Sequence, residues 1–484
     1  MDTITPAIIP RSQHTLSRKW ISPNALRVLY RLKERGYLAY LVGGGVRDLL
    51  LGREPKDFDI ATDATPRDIK KIFKNCRLIG RRFRLAHIHF HDEIIEVATF
   101  RSPAADEPEA ETAAETALPP VPSAPESAAP EEQTAEPAPP PEPLPEAPHR
   151  PRPPRMLKTE EGMILRDNVF GTPEQDALRR DFTVNALFYN IADFSVIDYV
   201  DGMEDLRRGL IRIIGDPVVR FTEDPVRMVR AVRFAAILGF KIEENTGRAL
   251  LELRDRIALA SPARMYEEVL KLFLLGEGEK TFQLLRKTEL FGVLFPRLNE
   301  WLNRETDGFP HVRIGKAFEW VDVCVQAGRQ VAPHILFALM FGEYIEEKAE
   351  AFRSAGAVPL EALDRAVAEF LSEQVPRVQI PKKVALAIRD MLWNQSRFEK
   401  TKGKYPLYFL RRPGFSEAFE YFRFTSELTG ERQELRAWWK EFIKAHPPVP
   451  AGERQEKKGH KQPERPPRKR RRRRRKPETR QPKA

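Results

Sequence analysis

Cysteine is scarce in this sequence: the two residues, Cys76 and Cys324, lie far apart in a chain of 484 residues. They cannot supply a disulfide framework or a paired-cysteine metal knuckle, so a small disulfide-stapled extracellular domain is excluded. No apolar run approaches the roughly 18 residues that cross a bilayer, which excludes a membrane-spanning helix. The N-terminus also lacks the basic and then apolar pattern of a secretory signal, so we expect a cytoplasmic protein with no transmembrane segment.

Lys and Arg are absent between Arg101 and Arg150, where Pro, Ala and Glu dominate the composition. Such a segment cannot bury enough apolar surface to offset the entropy that is lost when a chain becomes ordered. We therefore expect residues 102–155 to form a disordered acidic insertion within a folded domain, because patterned sequence resumes at Met156.

Positive charge is instead concentrated near the C-terminus. The formal net charge is +11, and an unbroken basic run extends from Arg468 to Lys476. Like charges at this density repel one another, so residues 447–484 are predicted to be disordered until they meet an anion. The charge indicates a polyanionic partner, either a nucleic acid or an anionic membrane surface.

The rest of the sequence predicts an α+β fold, with a small mixed sheet near the N-terminus and helices after it. A Ser-Pro pair at residues 22–23 is typical of a helix start. Buried strands are predicted at Leu38–Val42 and Phe58–Ala61, and a hairpin is predicted over residues 85–100. From Asp181 onward the apolar spacing is nearly all helical.

A glycine turn, Gly43-Gly44-Gly45, follows the first predicted strand and opens a short helix that contains Arg47. Backbone amides at such a helix start can bind an anion, because glycine has no side chain to block the approach. Arg47 adds a fixed cationic donor to this turn. Taken alone, the same pattern is also typical of a tight turn that merely needs glycine.

Two carboxylates follow about a dozen residues later, at Asp57 and Asp59. On a strand, positions two apart point to the same face, so these side chains are predicted to lie side by side. Adjacent carboxylates repel unless a cation joins them, and Mg²⁺ shares its oxygen ligands with substrate phosphates. The alternative is an exposed turn with two solvated aspartates.

Together the two motifs resemble a family signature. Gly-Gly-x-Val-Arg-Asp-x-Leu-Leu-Gly followed by Lys-Asp-x-Asp-Ile is similar to the pattern of the class II CCA-adding enzymes and bacterial poly(A) polymerases, which are polymerase-beta-like nucleotidyltransferases. Three further segments resemble later elements of that family in the same order: Arg179–Ala186, Asp201–Leu206 and Glu223–Arg230. The resemblance implies a template-independent RNA nucleotidyltransferase that uses Mg²⁺.

The resemblance assigns roles to individual acidic residues. Asp57 and Asp59 would bind the catalytic Mg²⁺, and Asp181 would be a third acidic residue of the catalytic site. From the residues alone, Asp181 is also explained as the N-cap of a helix over Phe182–Tyr189. Glu96 lies on an alternating strand, and it would be another carboxylate near the metal if that strand lies beside the one with the aspartates.

The same resemblance implies a nucleotide site made of glycine, arginine and aspartate. Its residues are Gly44, Arg47, Arg180, Asp224, Arg227 and Arg230. Gly44 and Arg47 would hold the triphosphate, and the later arginines would contact the incoming nucleotide. Asp224 and Arg227, three apart on one helix face, would read the base edge in place of a nucleic-acid template. A solvated helix face is the plainer explanation of the arginines.

Two activities share these motifs, and the sequence favours adenylate tailing over CCA addition. Leu78–His87 and Met163–Gly171 resemble the poly(A) polymerase version of these stretches, and the Arg-rich tail fits that subgroup. We therefore expect ATP and RNA 3′ ends as substrates, with RNA-decay proteins as potential partners. A CCA-adding tRNA enzyme and a non-catalytic RNA-binding protein stay open as alternatives.

The resemblance also implies a domain order. A nucleotidyltransferase head at residues 1–200 would hold the metal and the triphosphate, and a helical neck at 201–300 would read the nucleotide. A helical body at 301–446 would bind RNA. The basic tail at 447–484 would bind RNA phosphates, which carry no sequence information.

Overall fold

The computed structural model describes residues 5–80, 84–102, 157–158, 164–166, 170–304 and 310–447. The predictions of disorder for the acidic insertion and for the basic tail therefore fall almost entirely outside the described residues. The chain divides into two compact units, the first ending at Arg389 and the second beginning at Asp390.

A mixed sheet of eight strands forms the N-terminal part of the first unit, in the order β1-β10-β9-β2-β3-β6-β5-β4. The strands up to residue 198 are β1 (Ala7–Ile9), β2 (Ala39–Val42), β3 (Asp59–Thr62), β4 (Cys76–Ile79), β5 (Leu85–His89), β6 (Ile94–Thr99), β7 (Leu157–Lys158), β8 (Ile164–Arg166), β9 (Leu187–Asn190) and β10 (Val196–Asp198). β7 and β8 pair only with each other in the described residues. The predicted strands and the predicted hairpin of β5 and β6 are confirmed.

The register of the sheet places three titratable residues in one row. β3 pairs in parallel with β6, so that Asp59 lies opposite Glu96. β5 pairs antiparallel with β6, so that His87 lies opposite Glu96 on the other side. Residues that lie opposite one another on paired strands share a face of the sheet. The three side chains therefore stand side by side on the same face.

Short helices accompany this sheet, and the first two, α1 and α2, begin where the sequence predicts them. They are α1 (Pro23–Glu34), α2 (Gly44–Leu50), α3 (Pro66–Ile72), α4 (Pro173–Leu178) and α5 (Gly202–Arg208). The Ser22 hydroxyl accepts hydrogen bonds from the amides of Asn24 and Ala25, which confirms the predicted N-cap of α1. Leu29 and Leu32 of α1 are fully buried, so this amphipathic helix contributes to the core.

The prediction that the chain is nearly all helical from Asp181 onward is wrong in its first part. The residues after Asp181 form a 3-10 turn, Thr183–Asn185, and then strand β9, so no α-helix exists for Asp181 to cap. Strand β9 lies inside the sheet between β2 and β10. Leu187 and Phe188 are both fully buried although they face opposite sides, so the alternation that marks a half-exposed strand is missing.

Helices dominate the chain after residue 209, and two more short strands, β11 (Leu210–Ile211) and β12 (Lys241–Ile242), lie near the start of this region. The helices of this region are α6 (Pro217–Glu223), α7 (Val226–Leu238), α8 (Glu244–Leu253), α9 (Pro262–Phe273), α10 (Gly278–Lys287), α11 (Leu290–Leu294), α12 (Pro296–Leu302), α13 (Pro310–Gln326), α14 (Pro333–Ser354), α15 (Pro359–Gln374) and α16 (Lys382–Trp393). Aromatic rings join them, with Phe273 stacked on Phe318 at 4.2 Å between centroids. Among the described residues, no helix is long and apolar enough to cross a membrane.

The second unit is a small helical cluster around an aromatic core. Its helices are α17 (Tyr405–Leu410), α18 (Phe415–Thr429) and α19 (Gln433–Ala445). The ring of Phe398 contacts the rings of Phe409, Phe422 and Trp439 at centroid distances of 5.0, 4.6 and 5.4 Å. Trp439 is fully buried, and its indole N–H donates to the Phe398 carbonyl at 2.7 Å.

Candidate active site

The glycine turn lies at the end of β2, and its first residue has a backbone that only glycine adopts readily. Gly43 has φ 72° and ψ −139°. A Cβ at this position would lie 3.3 Å from Nη1 of Arg180 and 3.9 Å from Oδ2 of Asp59. The missing side chain therefore lets a guanidinium and a carboxylate approach the turn. Sequence reasoning selected Gly44, whereas the geometry assigns the close approach to Gly43.

The predicted aspartate pair is only partly on a strand. β3 begins at Asp59, and Asp57 lies before it as an exposed residue of irregular backbone. The reason is the pairing of β3 with β2, which ends at the pair of Val42 and Asp59 because the chain turns away at Gly43. The expectation that both aspartates share a strand face is therefore wrong, although the two carboxylates still influence each other electrostatically.

The carboxyl group of Asp59 has an unusually high pKa. Burial and, after it, the negative charges of Glu96 and Asp57 raise the pKa from 3.8 to about 6, against the opposing effects of Arg180 and His87. A divalent cation would relieve this repulsion, so the donor set fits Mg²⁺. No group of three or more acidic, His or Cys side chains in the described residues could hold a metal alone. Mg²⁺ commonly completes its shell with water and substrate phosphates.

Glu96 lies beside the strand that contains Asp59, which was the condition of its prediction. Its strand is indeed the neighbour of β3, and its charge acts directly on Asp59. Nε2 of His87 lies 3.2 Å from Oε2 of Glu96. His87 is therefore a direct neighbour of Glu96, which the sequence spacing did not indicate.

Asp181 binds an arginine rather than facing the other acidic residues. Nε of Arg230 donates to Oδ2 of Asp181 at 2.7 Å, and Nη2 lies 2.5 Å from the same oxygen. The other oxygen accepts from the Phe182 amide at 2.9 Å and from Nδ2 of Asn185 at 3.3 Å. Burial alone would raise the pKa of Asp181, but the Arg230 guanidinium and these hydrogen bonds outweigh it and hold the pKa at about 2.

Arg47 and Arg180 meet at one asparagine. Arg47 is buried, and its Nη1 donates to Oδ1 of Asn185 at 2.6 Å while its Nε donates to Asp48 at 2.8 Å. Nη1 of Arg180 donates to the Asn185 carbonyl at 3.4 Å, and its Nη2 donates to Asp176 at 2.9 Å. Asn185 and Asp176 were not among the predicted site residues. Asn185 lies in the segment Arg179–Ala186, here called the Arg-Arg-Asp element after its first three residues, and the resemblance of that segment was the signal that could have identified it.

Asp224 and Arg227 do not share a helix face. α7 begins at Val226, whereas Asp224 ends α6 with an extended backbone of φ −150°. The cause is the proline that follows Asp224, because a residue before proline disfavours the helical region. Instead, Nη1 and Nη2 of Arg264 in α9 donate to the two carboxylate oxygens of Asp224, at 2.7 and 2.8 Å.

Arg227 is held by the residues before it. Its Nη1 donates to Oε2 of Glu223 at 3.2 Å and to the Arg220 carbonyl at 2.8 Å. Nη2 of Arg220 donates to the carbonyls of Arg179 and Arg180 at 2.6 Å each, which ties α6 to the Arg-Arg-Asp element. Burial and the nearby Arg227 lower the pKa of Arg220 to about 10. Arg220 and Glu223 were not predicted as site residues.

Three arginine side chains of the candidate site lie around the ring of Phe234. The guanidinium carbons of Arg47, Arg230 and Arg233 lie 5.1, 5.4 and 4.8 Å from the centroid of Phe234. The electron-rich face of an aromatic ring attracts cations, so the Phe234 ring can interact favourably with these guanidinium groups. The structure thereby brings the predicted residues from the glycine turn, the Arg-Arg-Asp element and α7 into one neighbourhood.

Comparisons with known proteins agree with this geometry. Three family models match: the Poly A polymerase head domain at residues 39–212, the Probable RNA and SrmB- binding site of polymerase A at 239–302, and the Polymerase A arginine-rich C-terminus at 355–477. A Poly(A) polymerase I of Salmonella typhi is 41% identical over 92% of this chain and 87% of that relative. The chain belongs to the poly(A) polymerase I family.

More distant relatives of this poly(A) polymerase family member carry a different name. A CCA-adding enzyme of Leuconostoc mesenteroides is 30% identical over 57% of the chain and 56% of that enzyme. The crystal structure of the Bacillus stearothermophilus CCA-adding enzyme in complex with CTP superposes with a TM-score of 0.53 at 23% identity, covering 88% of this chain and 83% of that one. That likeness shows a shared fold.

Replacing Asp59 with Asn is expected to raise the melting temperature of the metal-free protein above pH 6. The folded pKa of about 6 exceeds the ordinary value of 3.8, so the stability that a protonated Asp59 contributes below pH 3.8 is lost as the pH rises through 6. Asn cannot ionise and keeps that contribution. Thermal unfolding in a chelating buffer at several pH values checks this. Parallel pH curves for the two proteins would contradict it, and adding Mg²⁺ is expected to narrow the difference.

Proposed function

We propose that this chain transfers AMP from ATP to RNA 3′ ends and requires Mg²⁺ for the reaction. The observation that carries the proposal is the meeting of Asp59, Arg180 and Gly43 at the end of β2. A carboxylate that needs a cation therefore lies beside a fixed guanidinium, at a turn where no side chain blocks a phosphate. Membership of the poly(A) polymerase I family supports adenylate as the transferred group.

The proposed reaction is an in-line displacement. The RNA 3′-hydroxyl oxygen attacks the α-phosphorus of ATP, the bond to the β-phosphate oxygen breaks, and pyrophosphate leaves while the hydroxyl proton passes to solvent. When bound by Asp57 and Asp59, Mg²⁺ would neutralise charge on the phosphates. Arg180 is anchored by Asp176 and Asn185, so its guanidinium is oriented before the nucleotide arrives.

The base-reading part of the site is already organised by ion pairs. Arg264 holds Asp224, and Glu223 holds Arg227. Arg230 is likewise fixed by Asp181. Fixed donors lose little conformational entropy when a base binds, so this surface discriminates between bases by hydrogen-bond geometry. We infer that it selects adenine.

Nucleotide preference is the direct test of this assignment. On a generic RNA primer with Mg²⁺, we expect efficient incorporation from ATP and incorporation from CTP lower by at least about a hundredfold, because a site that hydrogen-bonds one base leaves its polar groups unpaired with another. The measurement is primer extension with each nucleotide alone. Efficient addition of C to a tRNA that lacks its terminal CCA would instead identify a CCA-adding enzyme. RNA binding without incorporation of any nucleotide would identify a non-catalytic RNA-binding protein.

Further parts of the proposal concern regions beyond the site. The head, neck and body boundaries at residues 200, 300 and 446 and the cytoplasmic location stay predictions. The basic tail at 447–484 is proposed to bind RNA phosphates, because its sequence carries sixteen Lys or Arg against four Glu. Proteins of RNA decay are proposed as partners, and the match at residues 239–302 to a model described as a probable RNA and SrmB binding site supports an RNA or protein partner at this part of the chain.

A further inference from the structure

An aromatic ladder follows one side of α19 in the second unit. Trp438 stacks on Phe442 with ring centroids 4.9 Å apart and planes 14° apart. Phe442 stacks on His446 at 4.4 Å and 28°. The three residues are spaced by four, so they form a single stripe on the helix. α19 ends at Ala445, and the ladder therefore extends to the residue that follows the helix.

The core of the second unit holds this ladder in place. Trp439 is fully buried and meets Trp438 edge to face at 5.1 Å. At the other end, Nδ1 of His446 donates to the Phe442 carbonyl at 3.0 Å, since a carbonyl oxygen can only accept. The rings are thus oriented by packing and hydrogen bonding before any ligand binds.

The outer end of the ladder is open. Trp438 is 36% exposed, whereas the next residue, Trp439, is fully buried in the core. It lines an open depression of about 610 Å³ together with Thr401, Gly430 and Arg432. That volume lies within the roughly 300–1,000 Å³ range of small-ligand sites. The indole ring of Trp438 therefore borders a space large enough for another planar ring, such as a nucleic-acid base.

The charges around the depression favour an anionic ligand. Thr401 lies between the exposed Lys400 and Lys402, and Lys404 is also exposed. Glu434 lines the same depression, and Arg432 lies 3.5 Å from Glu399, so the rim itself is mixed in charge. The three lysines and Arg432 outnumber the two glutamates, and the sequence directly after the ladder is also basic, with sixteen Lys or Arg against four Glu in residues 447–484. This combination attracts a polyanion.

We propose that the ladder of Trp438, Phe442 and His446 is a stacking platform for single-stranded RNA, in which a base stacks on the open end of the ladder at Trp438. Stacking on aromatic rings tolerates any sequence because every base has a π-face, while lysines bind the phosphates. Duplex RNA keeps its bases stacked inside the helix and cannot offer them to such a ring. The inference rests on the proposed function, since an enzyme that extends many RNA 3′ ends must hold single strands without reading them.

The test measures equilibrium binding of a fluorescent oligoadenylate to the full chain and three variants. Trp438→Ala is expected to raise the Kd by about tenfold, the usual effect of losing one base–aromatic contact. Trp438→Phe keeps a flat ring and is expected to bind within about twofold of wild type. Trp438→Leu keeps apolar bulk without a ring and is expected to bind as weakly as the Ala variant, which separates stacking from general apolar contact.

Three controls accompany the binding series. Salt dependence distinguishes bases from phosphates: Trp438→Ala leaves the slope of log Kd against log salt unchanged, whereas Lys402→Gln/Lys404→Gln reduces it. Trp20 is 63% exposed, and Trp20→Ala is expected to leave RNA affinity unchanged. Thermal unfolding of each variant shows whether the second unit still folds.

Two results would overturn the platform. One is wild-type affinity in either Trp438→Ala or Trp438→Leu. The other is unchanged RNA binding combined with loss of self-association in sedimentation, which would assign the face to a second copy of the chain. AMP incorporation at saturating RNA is expected to stay at the wild-type rate in all three variants. If the wild-type chain incorporates no AMP, the proposed function fails, while the RNA-binding comparison still stands or falls on its own.

Discussion

Asp59→Asn is expected to lower AMP incorporation by about a thousandfold while leaving the protein folded. The substitution preserves the shape of the side chain and removes the charge that would bind Mg²⁺. A bound metal ion contributes several kcal/mol to stabilising phosphoryl charge, and a loss of about 4 kcal/mol corresponds to this factor. Steady-state extension of an RNA primer with ATP measures the effect, which should appear in kcat rather than in the KM for RNA.

A matched control separates this effect from a general loss of negative charge. Asp364 on α15 is exposed and pairs with Arg389 at 3.2 Å, so Asp364→Asn removes the same charge at a distance from the site. Its rate is expected to match wild type within about twofold, as for most surface changes. Normal AMP incorporation by Asp59→Asn would defeat the assignment of the active site.

Asp181→Ala is expected to destabilise the folded protein by about 3–5 kcal/mol. The change leaves the guanidinium of Arg230, which is 29% exposed, without its main partner, and water can replace only part of the lost carboxylate contact. The folded pKa of about 2 lies below the ordinary 3.8, so the stability from Asp181 is present above pH 3.8 and is lost as the pH falls through 2. Urea unfolding near neutral pH measures the full effect.

The double variant Asp181→Ala/Arg230→Met provides the control for that prediction. Removing both charges avoids an unpaired buried ion, so the double variant should recover much of the stability lost in the single one. AMP incorporation should stay low in both, because Arg230 belongs to the proposed nucleotide site. A single variant as stable as wild type would show that Asp181 is not the anchor of Arg230.

Local patterns predicted much of the N-terminal fold. Ser22 and the proline after it located α1, and alternation located β5 and β6. The same approach missed β9, because Leu187 and Phe188 are buried on both faces and show no period of two. It also placed Asp224 on a helix that begins at Val226. These errors occur where tertiary burial or a following proline overrides an apolar pattern.

In the candidate site, too, the sequence identified residues that act with near neighbours in the chain and missed residues whose partners are far away in sequence. The glycine turn and the aspartates were identified from residues close in sequence. Asn185 and Arg264 were not, because their roles depend on partners 138 and 40 positions away. Spacing along a chain reports neighbours on one helix or strand, and it does not report which elements pack together.

By itself, the sequence determined the reaction class of this protein, through a glycine turn, a pair of aspartates and an Arg-Arg-Asp element in a set order. The composition of the sequence also identified an acidic insertion at residues 102–155 and a basic tail at residues 447–484. Only the tertiary structure decided that Asp181 binds Arg230, that Glu96 lies beside Asp59 and that an aromatic ladder ends at an open depression. The physical reason is that burial and charge pairing arise from contacts between distant segments, which no local pattern encodes.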